Sequence, residues 1–276
     1  MPVTDGQLKE SPAIVIIGGG RMGEAIVGGL LSAESVRADT VIVVEPDAER
    51  RDALRGRYGV GVTSDAAEAL DGADIALLAV KPQVLESVVA GLVEQLSTVL
   101  VISIAAGISS ARIESLLRPG AAVVRVMPNT PALVGSGVAL ISAGSEASEE
   151  DLVRVEAIFS SIGESVRIDE RYQDAGTAIS GSGPAYFALV VDALARAGVA
   201  QGLSRPVAQD LAVKTMLGTA RLLIETDSHP AEVIDAVASP GGTTIAALER
   251  LEAGGVRAAF AEAVEAAVRR SRELGA

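Results

Sequence analysis

Short, nearly unbroken apolar runs recur along the first 168 residues, and segments with helical spacing lie between them. AIVII (13–17), VIVV (41–44), IALLAV (75–80), TVLVISI (98–104), AAVVRV (121–126) and GVALIS (137–142) read as strands, and ESVRI (164–168) as a last one. Apolar residues follow one another in these runs instead of alternating with polar ones, as in a parallel sheet covered on both faces. Helices are predicted over 21–33, 47–57, 65–70, 82–97 and 109–117, and another starts at Ser148, with Asp151 placed to help cap it. Strands alternating with helices predict an α/β fold with an open, doubly wound sheet of the Rossmann type.

After about residue 169 the strands stop. Segments 170–200, 205–227, 230–238, 243–252 and 256–274 have helical periodicity and much alanine, the best helix former. The chain is therefore expected to divide near 168–170, with a dinucleotide-binding domain over 13–168 and an all-α domain over 169–276. The polar residues 1–12 read as a loose extension without the apolar stretch of a signal peptide.

Composition narrows the chemistry. The 276 residues carry 23 Lys plus Arg against 36 Asp plus Glu, a net charge of −13, which opposes binding of a polyanion such as nucleic acid. There is no cysteine and one histidine, His229. Disulfides, thiolate nucleophiles and two-His metal sites within one chain are excluded, and a Ser-His-Asp triad would have to use His229. No run reaches the roughly 18 consecutive apolar residues of a transmembrane helix, so no membrane is expected. A cytoplasmic location is the expectation for a chain without cysteine or leader.

Seven short segments bear on function. Gly18, Gly20 and Gly23 form GxGxxG in GGGRMG, after an apolar strand and at the start of a helix. In that context the first glycine permits the turn, the second lets backbone approach a pyrophosphate, and the third lets helix and strand pack closely. The helix N-terminus, with Arg21 and Met22, then faces the phosphates. Glu45, at the end of VIVVEPD, lies 22 residues beyond Gly23, where a carboxylate meets the adenosine ribose. It favours NADH over NADPH, and Arg50 and Arg51 one turn on would offset it, so either cofactor is compatible. The alternative is that Glu45 and Asp47 merely begin a helix.

AVKP (79–82) ends a strand with Lys81, one of three lysines, and Pro82 suits the first turn of the next helix. SIAAG (103–107) and MPNTP (127–131) also follow strands, and their small or stiff residues would border a flat ring without clashing. SGSGPAY (180–186) interrupts a helical pattern, because two glycines in four residues cost a helix about 2 kcal/mol relative to alanine. SPGGTT (239–244) precedes the helix IAALERLEAG and is a plausible carboxylate cradle. Each of these segments has a purely structural alternative: a strand–helix junction, a packing kink or an N-cap.

Taken in order, IIGGGRMGEAI, AVKPQ, RVMPNTP, ISGSGPAYF and SPGGTTIAAL, followed by LEAGGVRAAFAEAVEAA, resemble the pyrroline-5-carboxylate reductase family from Ala13 onward. The resemblance implies NAD(P)H-dependent reduction of Δ1-pyrroline-5-carboxylate to L-proline. It also implies a homodimer intertwined through the helical domain, with substrate pockets built from helices of both protomers and larger rings of dimers in some members. By motif position, Ala79, Lys81, Met127, Pro128 and Asn129 would lie near the nicotinamide or its ribose. Ser239, Gly241, Gly242, Thr243 and Thr244 would hold the substrate carboxylate and ring nitrogen.

The chemistry agrees with the composition. Hydride addition to a protonated imine needs no strong protein acid, whereas a ketone reductase must protonate an alkoxide and usually employs His, Lys or Tyr. Thr244 is the expected catalytic hydroxyl. Two other readings compete. A reductase of the β-hydroxyacid dehydrogenase type would need a lysine in the helical half, where Lys214 is the only one and lacks that class's glycine-flanked setting. A non-enzymatic dinucleotide sensor would have no use for a second anion cradle. His229, before Pro230, fits a cap or a surface position. His229→Gln is expected to leave the rate of pyrroline-dependent NADH oxidation nearly unchanged; a large loss would overturn this account.

Overall fold

The structure, a computed structural model, describes residues 12–274. Of the expected extension, residues 1–11 lie outside the described residues, and Pro12 is buried. By compactness the chain divides into two units. One holds the residues up to Gly181 together with those from Ala267 on, and the other is Ser182–Ala266.

The first unit opens β1 (Ile14–Ile17), α1 (Arg21–Ser32), β2 (Val41–Val44), α2 (Ala48–Tyr58), β3 (Gly61–Thr63), α3 (Ala66–Ala69) and β4 (Ile75–Leu78). It continues with α4 (Pro82–Gly91), α5 (Val93–Leu96), β5 (Leu100–Ser103), α6 (Ser110–Glu114), β6 (Val123–Met127), β7 (Gly137–Ala143), α7 (Glu149–Phe159), β8 (Gly163–Arg167) and α8 (Gln173–Ser180). The strands form one sheet in the order β3-β2-β1-β4-β5-β6-β7-β8. β1 is central: Ile14 lies opposite Val41 on one side and Ile75 on the other. Ile14, Ile16, Ile75 and Leu77 face a core closed by Ile26, Leu30, Leu54 and Phe159. Val15, Ile17, Ala76 and Leu78 face a second core closed by Leu85, Val89, Leu96 and Ile113. Both faces of the central strands are thus covered, which is why they contain almost nothing polar.

Three details depart from the sequence reading. β3 was not expected, because GVT is too short to give an apolar run. The helix expected over 82–97 is two pieces, α4 and α5, separated by Leu92 outside the helical region at φ −131°, ψ 23°. β7 runs antiparallel to β6, while every other pair is parallel. The nine residues from Pro128 to Ser136 explain this, since a parallel return needs a crossover of a dozen or more. The Ser148–Asp151 cap forms as a reciprocal capping box.

The second unit is helical: α9 (Gly183–Ala200), α10 (Arg205–Thr226), α11 (Pro230–Val237), α12 (Thr243–Ala253) and α13 (Val256–Leu274), whose last turns belong to the first unit. α9 and α10 approach closely through small residues; a Cβ added at Gly198 would lie 3.1 Å from Ala208 Cβ. Large apolar side chains remain exposed on this unit, among them Phe187, Leu189, Leu211, Leu217 and Ile224. The helical stretch Glu170–Ala200 is long and apolar enough, by length and composition alone, to cross a membrane, although no single apolar run in the sequence suggested it.

Phe159 is fully buried among Ile14, Ile16 and Ile158 in the first core. Phe159→Ala is expected to lower the unfolding free energy by about 3–5 kcal/mol, read as a reduced urea midpoint of the first unit's transition.

Candidate functional site

β1 ends where its chain is pinned from both neighbours. The Gly18 N–H donates to Val44 O at 2.9 Å and the Ala79 N–H donates to Ile17 O at 2.8 Å. Gly18 then turns with φ +113°, and a Cβ there would sit 2.6 Å from Ala79 O. Gly23 is equally constrained, since its Cβ would meet Gly18 O at 2.2 Å. Gly20 differs: a Cβ there would meet nothing within 4 Å, so open space lies beside it. Gly20 is also the N-cap of α1 and supplies no side-chain cap, and the Glu24 N–H is the first to return a bond, to Gly20 O. The N–H groups of Arg21, Met22 and Gly23 thus stand at an uncapped helix start with open space in front, the arrangement an anionic pyrophosphate fits.

Glu45 is half-buried at the exit of β2. Its carboxylate accepts the Gly19 N–H at 2.9 Å and the Asp47 N–H at 3.1 Å. Arg50 grips the same glycine from the other side, donating from Nε to Gly19 O at 2.6 Å. Both peptide groups of Gly19 are therefore held by side chains. Arg50 Nη2 also reaches Glu24 Oε2 at 2.6 Å, and Glu24 Oε1 takes Arg57 Nη1 at 2.9 Å and the Tyr58 hydroxyl at 3.2 Å. The Arg50 guanidinium, through its hydrogen bond, holds the Glu24 carboxyl below the usual carboxylate range. Arg51 donates to the Glu45 and Pro46 carbonyls at 2.7 and 2.8 Å. The sequence pattern marked Glu45, Arg50 and Arg51; it did not mark Glu24, whose pairing with Arg50 spans 26 residues.

At the end of β4, Ala79 is half-buried, Lys81 is exposed at the N-cap of α4, and Pro82 takes the first helical turn. Met127 ends β6, and Pro128 and Asn129 follow it, both buried. The side chain of Asn129 bonds within the protein through both amide atoms: Nδ2 donates to Ser180 O at 3.0 Å and Oδ1 accepts the Val138 N–H at 2.9 Å. It ties the loop after β6 to the last residue of α8. Behind this loop Arg125 is buried and reaches Glu170 at 3.4 Å and Asp174 at 3.7 Å.

In the helical unit the SPGG segment forms a tight turn. The Gly242 N–H donates to Ser239 O at 2.9 Å, and Gly241 has φ +66°. Gly242 caps α12 without a side-chain hydrogen bond, leaving Thr243 exposed and Thr244 half-buried in its first turn. Like α1, this eleven-residue helix starts from a glycine N-cap after a glycine-rich turn, an arrangement suited to a carboxylate. His229 lies elsewhere: its Nδ1 accepts the Ala231 N–H at 3.2 Å and its own N–H donates to Glu232, a capping box for α11. Lys214 pairs with Asp210 at 2.8 Å on the exposed face of α10. Among the described residues no cluster of His, Cys, Asp and Glu could hold a metal ion.

Comparison with known proteins bears on both units. Residues 170–274 match the family model described as pyrroline-5-carboxylate reductase dimerisation. Residues 13–107 match one described as NADP oxidoreductase coenzyme F420-dependent. A pyrroline-5-carboxylate reductase of Synechocystis is 50% identical over 94% of this chain and 97% of that protein. Among solved structures, a pyrroline-5-carboxylate reductase from Coxiella burnetii aligns with TM-score 0.91 and 35% identity, covering 96% of this chain and 99% of that one. The Plasmodium falciparum pyrroline carboxylate reductase solved with NADP bound aligns with TM-score 0.87 and 32% identity, covering 97% and 99%.

A methyl group at Gly18 must displace the Ala79 carbonyl and adopt an unfavourable φ. Gly18→Ala is expected to weaken NADH binding at least about tenfold, roughly 1.4 kcal/mol, in a fluorescence titration; unchanged affinity would remove this turn from the binding site.

Proposed function

The chain belongs to the pyrroline-5-carboxylate reductase family, and on that premise we propose how its residues carry out the reaction. It catalyses NAD(P)H-dependent reduction of Δ1-pyrroline-5-carboxylate to L-proline, the last step of proline biosynthesis, and it is a homo-oligomer acting on a small molecule. We assign dinucleotide binding to 13–168 and substrate binding and dimerisation to 169–276, in the cytoplasm.

Gly18, Gly20, Arg21, Met22 and Gly23 hold the pyrophosphate through backbone N–H groups, and Glu45 faces the adenosine ribose. Ala79, Lys81, Pro82, Met127, Pro128 and Asn129 border the nicotinamide half, and Asn129 also ties down the loop that presents them. The bound reduced nicotinamide supplies the hydride. In the helical unit the SPGG turn and the uncapped start of α12 receive the substrate carboxylate, and this is the observation that carries the assignment. The free N–H groups of the first turn donate to the carboxylate, and the dipole adds about 0.3–1 kcal/mol. Ser239, Gly241 and Gly242 shape the turn, Thr243 lines it, and the Thr244 hydroxyl meets the ring nitrogen.

The remaining chemistry asks little of the side chains. The substrate reacts as its protonated imine, and the product amine keeps that proton, so no general acid is required. Positioning of two bound reactants then accounts for most of the rate. The exposed Lys214, paired with Asp210, is poorly placed for the proton-transfer role that a ketone reductase demands. The apolar surface of α9 and α10 is covered by a second copy of the chain rather than by lipid, in an intertwined dimer that can build larger rings.

Thr244→Ala is expected to lower kcat/KM for the pyrroline substrate by about 10–100-fold, roughly 1.4–2.7 kcal/mol, with an unchanged circular dichroism melting curve. Wild-type kinetics in this variant would exclude Thr244 from the mechanism.

A further inference from the structure

The cluster at the exit of β2 determines which dinucleotide the chain accepts, and its least obvious member is Glu24. In Rossmann domains the adenosine ribose sits outside the carboxyl end of the second strand. A carboxylate there bonds the free 2′-hydroxyl, whereas a nearby guanidinium accommodates a 2′-phosphate. This chain carries both kinds of group. Glu45 is the carboxylate, and Arg50 and Arg51 follow on the first turn of α2. Neither arginine is free. Arg51 is spent on the Glu45 and Pro46 carbonyls. Arg50 is drawn across α1 by Glu24, with the pair only 31% and 20% exposed and 2.6 Å apart. Glu24 also holds Arg57, the next guanidinium along α2.

Resting on the dinucleotide assignment above, we propose that Glu24 makes the chain prefer NADH by sequestering Arg50 from the position a 2′-phosphate would occupy. Several observations support the direction. Glu24 engages two of the guanidiniums of α2, Arg50 and Arg57, and Glu45 itself stands at the β2 exit, so carboxylates hold the ground a dianion would need. The lowered pKa of Glu24 keeps it charged throughout the physiological range. Arg50 has a second anchor at Gly19 O, so loss of Glu24 leaves its stem in place and releases only the outer nitrogens. Those nitrogens then lie beside the phosphate loop, where a charge-assisted hydrogen bond to a 2′-phosphate becomes available.

The test measures dissociation constants of NADH and NADPH by fluorescence titration, together with kcat/KM for both, in wild type, Glu24→Gln and the double variant Glu24→Gln/Arg50→Met. Glutamine keeps the shape of the side chain and removes its charge. The wild type is expected to bind NADH more tightly. In Glu24→Gln the ratio of Kd for NADPH to Kd for NADH should fall by at least about tenfold, the lower end of one charge-assisted hydrogen bond, while the Kd for NADH changes less than about twofold. The double variant should lose that gain. A ratio unchanged by Glu24→Gln, or a gain that persists without Arg50, overturns the inference. Failure of the wild type to bind either dinucleotide overturns the assignment on which it rests as well. The ratio is read within one variant, so partial destabilisation does not move it. Should Glu24→Gln fail to fold, Glu24→Ser carries the same expectation.

Discussion

The structure depends on a close approach at the end of β1, where the backbone of Gly18 lies against the Ala79 carbonyl and beneath Gly23. The central strand is fixed there by hydrogen bonds to the strands on either side, so the turn into α1 has little freedom. The conformation admits no Cβ at Gly18 and none at Gly23. In return, α1 begins immediately above the sheet with its first N–H groups directed into open space beside Gly20. A preorganised cradle of this kind needs no charged side chain, and a chain of net charge −13 can therefore bind a phosphorylated cofactor.

The same economy governs the helical unit. α12 starts from Gly242 after a turn closed by a single backbone hydrogen bond to Ser239, again without a side-chain cap. A glycine N-cap forgoes only a few tenths of a kcal/mol relative to Ser, Thr or Asp, roughly a third of what alanine would cost. Side chains cap α2 (Asp47), α3 (Asp65), α6 (Ser109), α7 (Ser148) and α11 (His229), whereas α4, α5, α8, α9 and α10, like α1 and α12, start without one. What sets α1 and α12 apart is a glycine N-cap after a glycine-rich turn, Gly20 and Gly242, which leaves no side chain over the first donors, and those donors are what an anion would use. Capping α11 gives His229 a structural role, consistent with a reaction that needs no imidazole.

The sheet was legible because its strands are buried on both faces, so each is an apolar run that single-sequence reading detects. β3 escaped because it is three residues long at the sheet edge, and the direction of β7 escaped because strand orientation follows from connection length rather than from the run itself. The glycine turn at Gly18 and the break before α9 at Gly181–Gly183 were legible because glycine and proline carry backbone information locally. The Glu24–Arg50 and Asn129–Ser180 bonds were not, since they join residues 26 and 51 positions apart and depend on which faces α1, α2 and α8 present. Asn129 shows the difference well: its place in MPNTP pointed to the cofactor side of the loop, but nothing local announced that its amide also ties this loop to Ser180 and Val138.

Association follows from the same accounting of buried surface. In the helical unit the side chains buried within one chain are mostly small, among them Ala195, Ala208 and Ala212, while Leu189 and Ile224 are 69% and 80% exposed. Alanine contacts bring α9 and α10 close but remove little apolar area from water, and burial at roughly 25 cal/mol per Å² is the main favourable term in folding. Large side chains turned outward over successive helices form a patch that a soluble monomer rarely displays. Homo-oligomerisation, which the match to a dimerisation family model supports, can remove such side chains from water. The stability of this unit is then tied to association by mass action. The α/β unit differs, because its two cores are complete within one chain. The glycine turn at Gly18 is therefore built on a framework that one chain stabilises by itself, whereas the SPGG turn is carried by helices that leave large apolar side chains exposed within one chain.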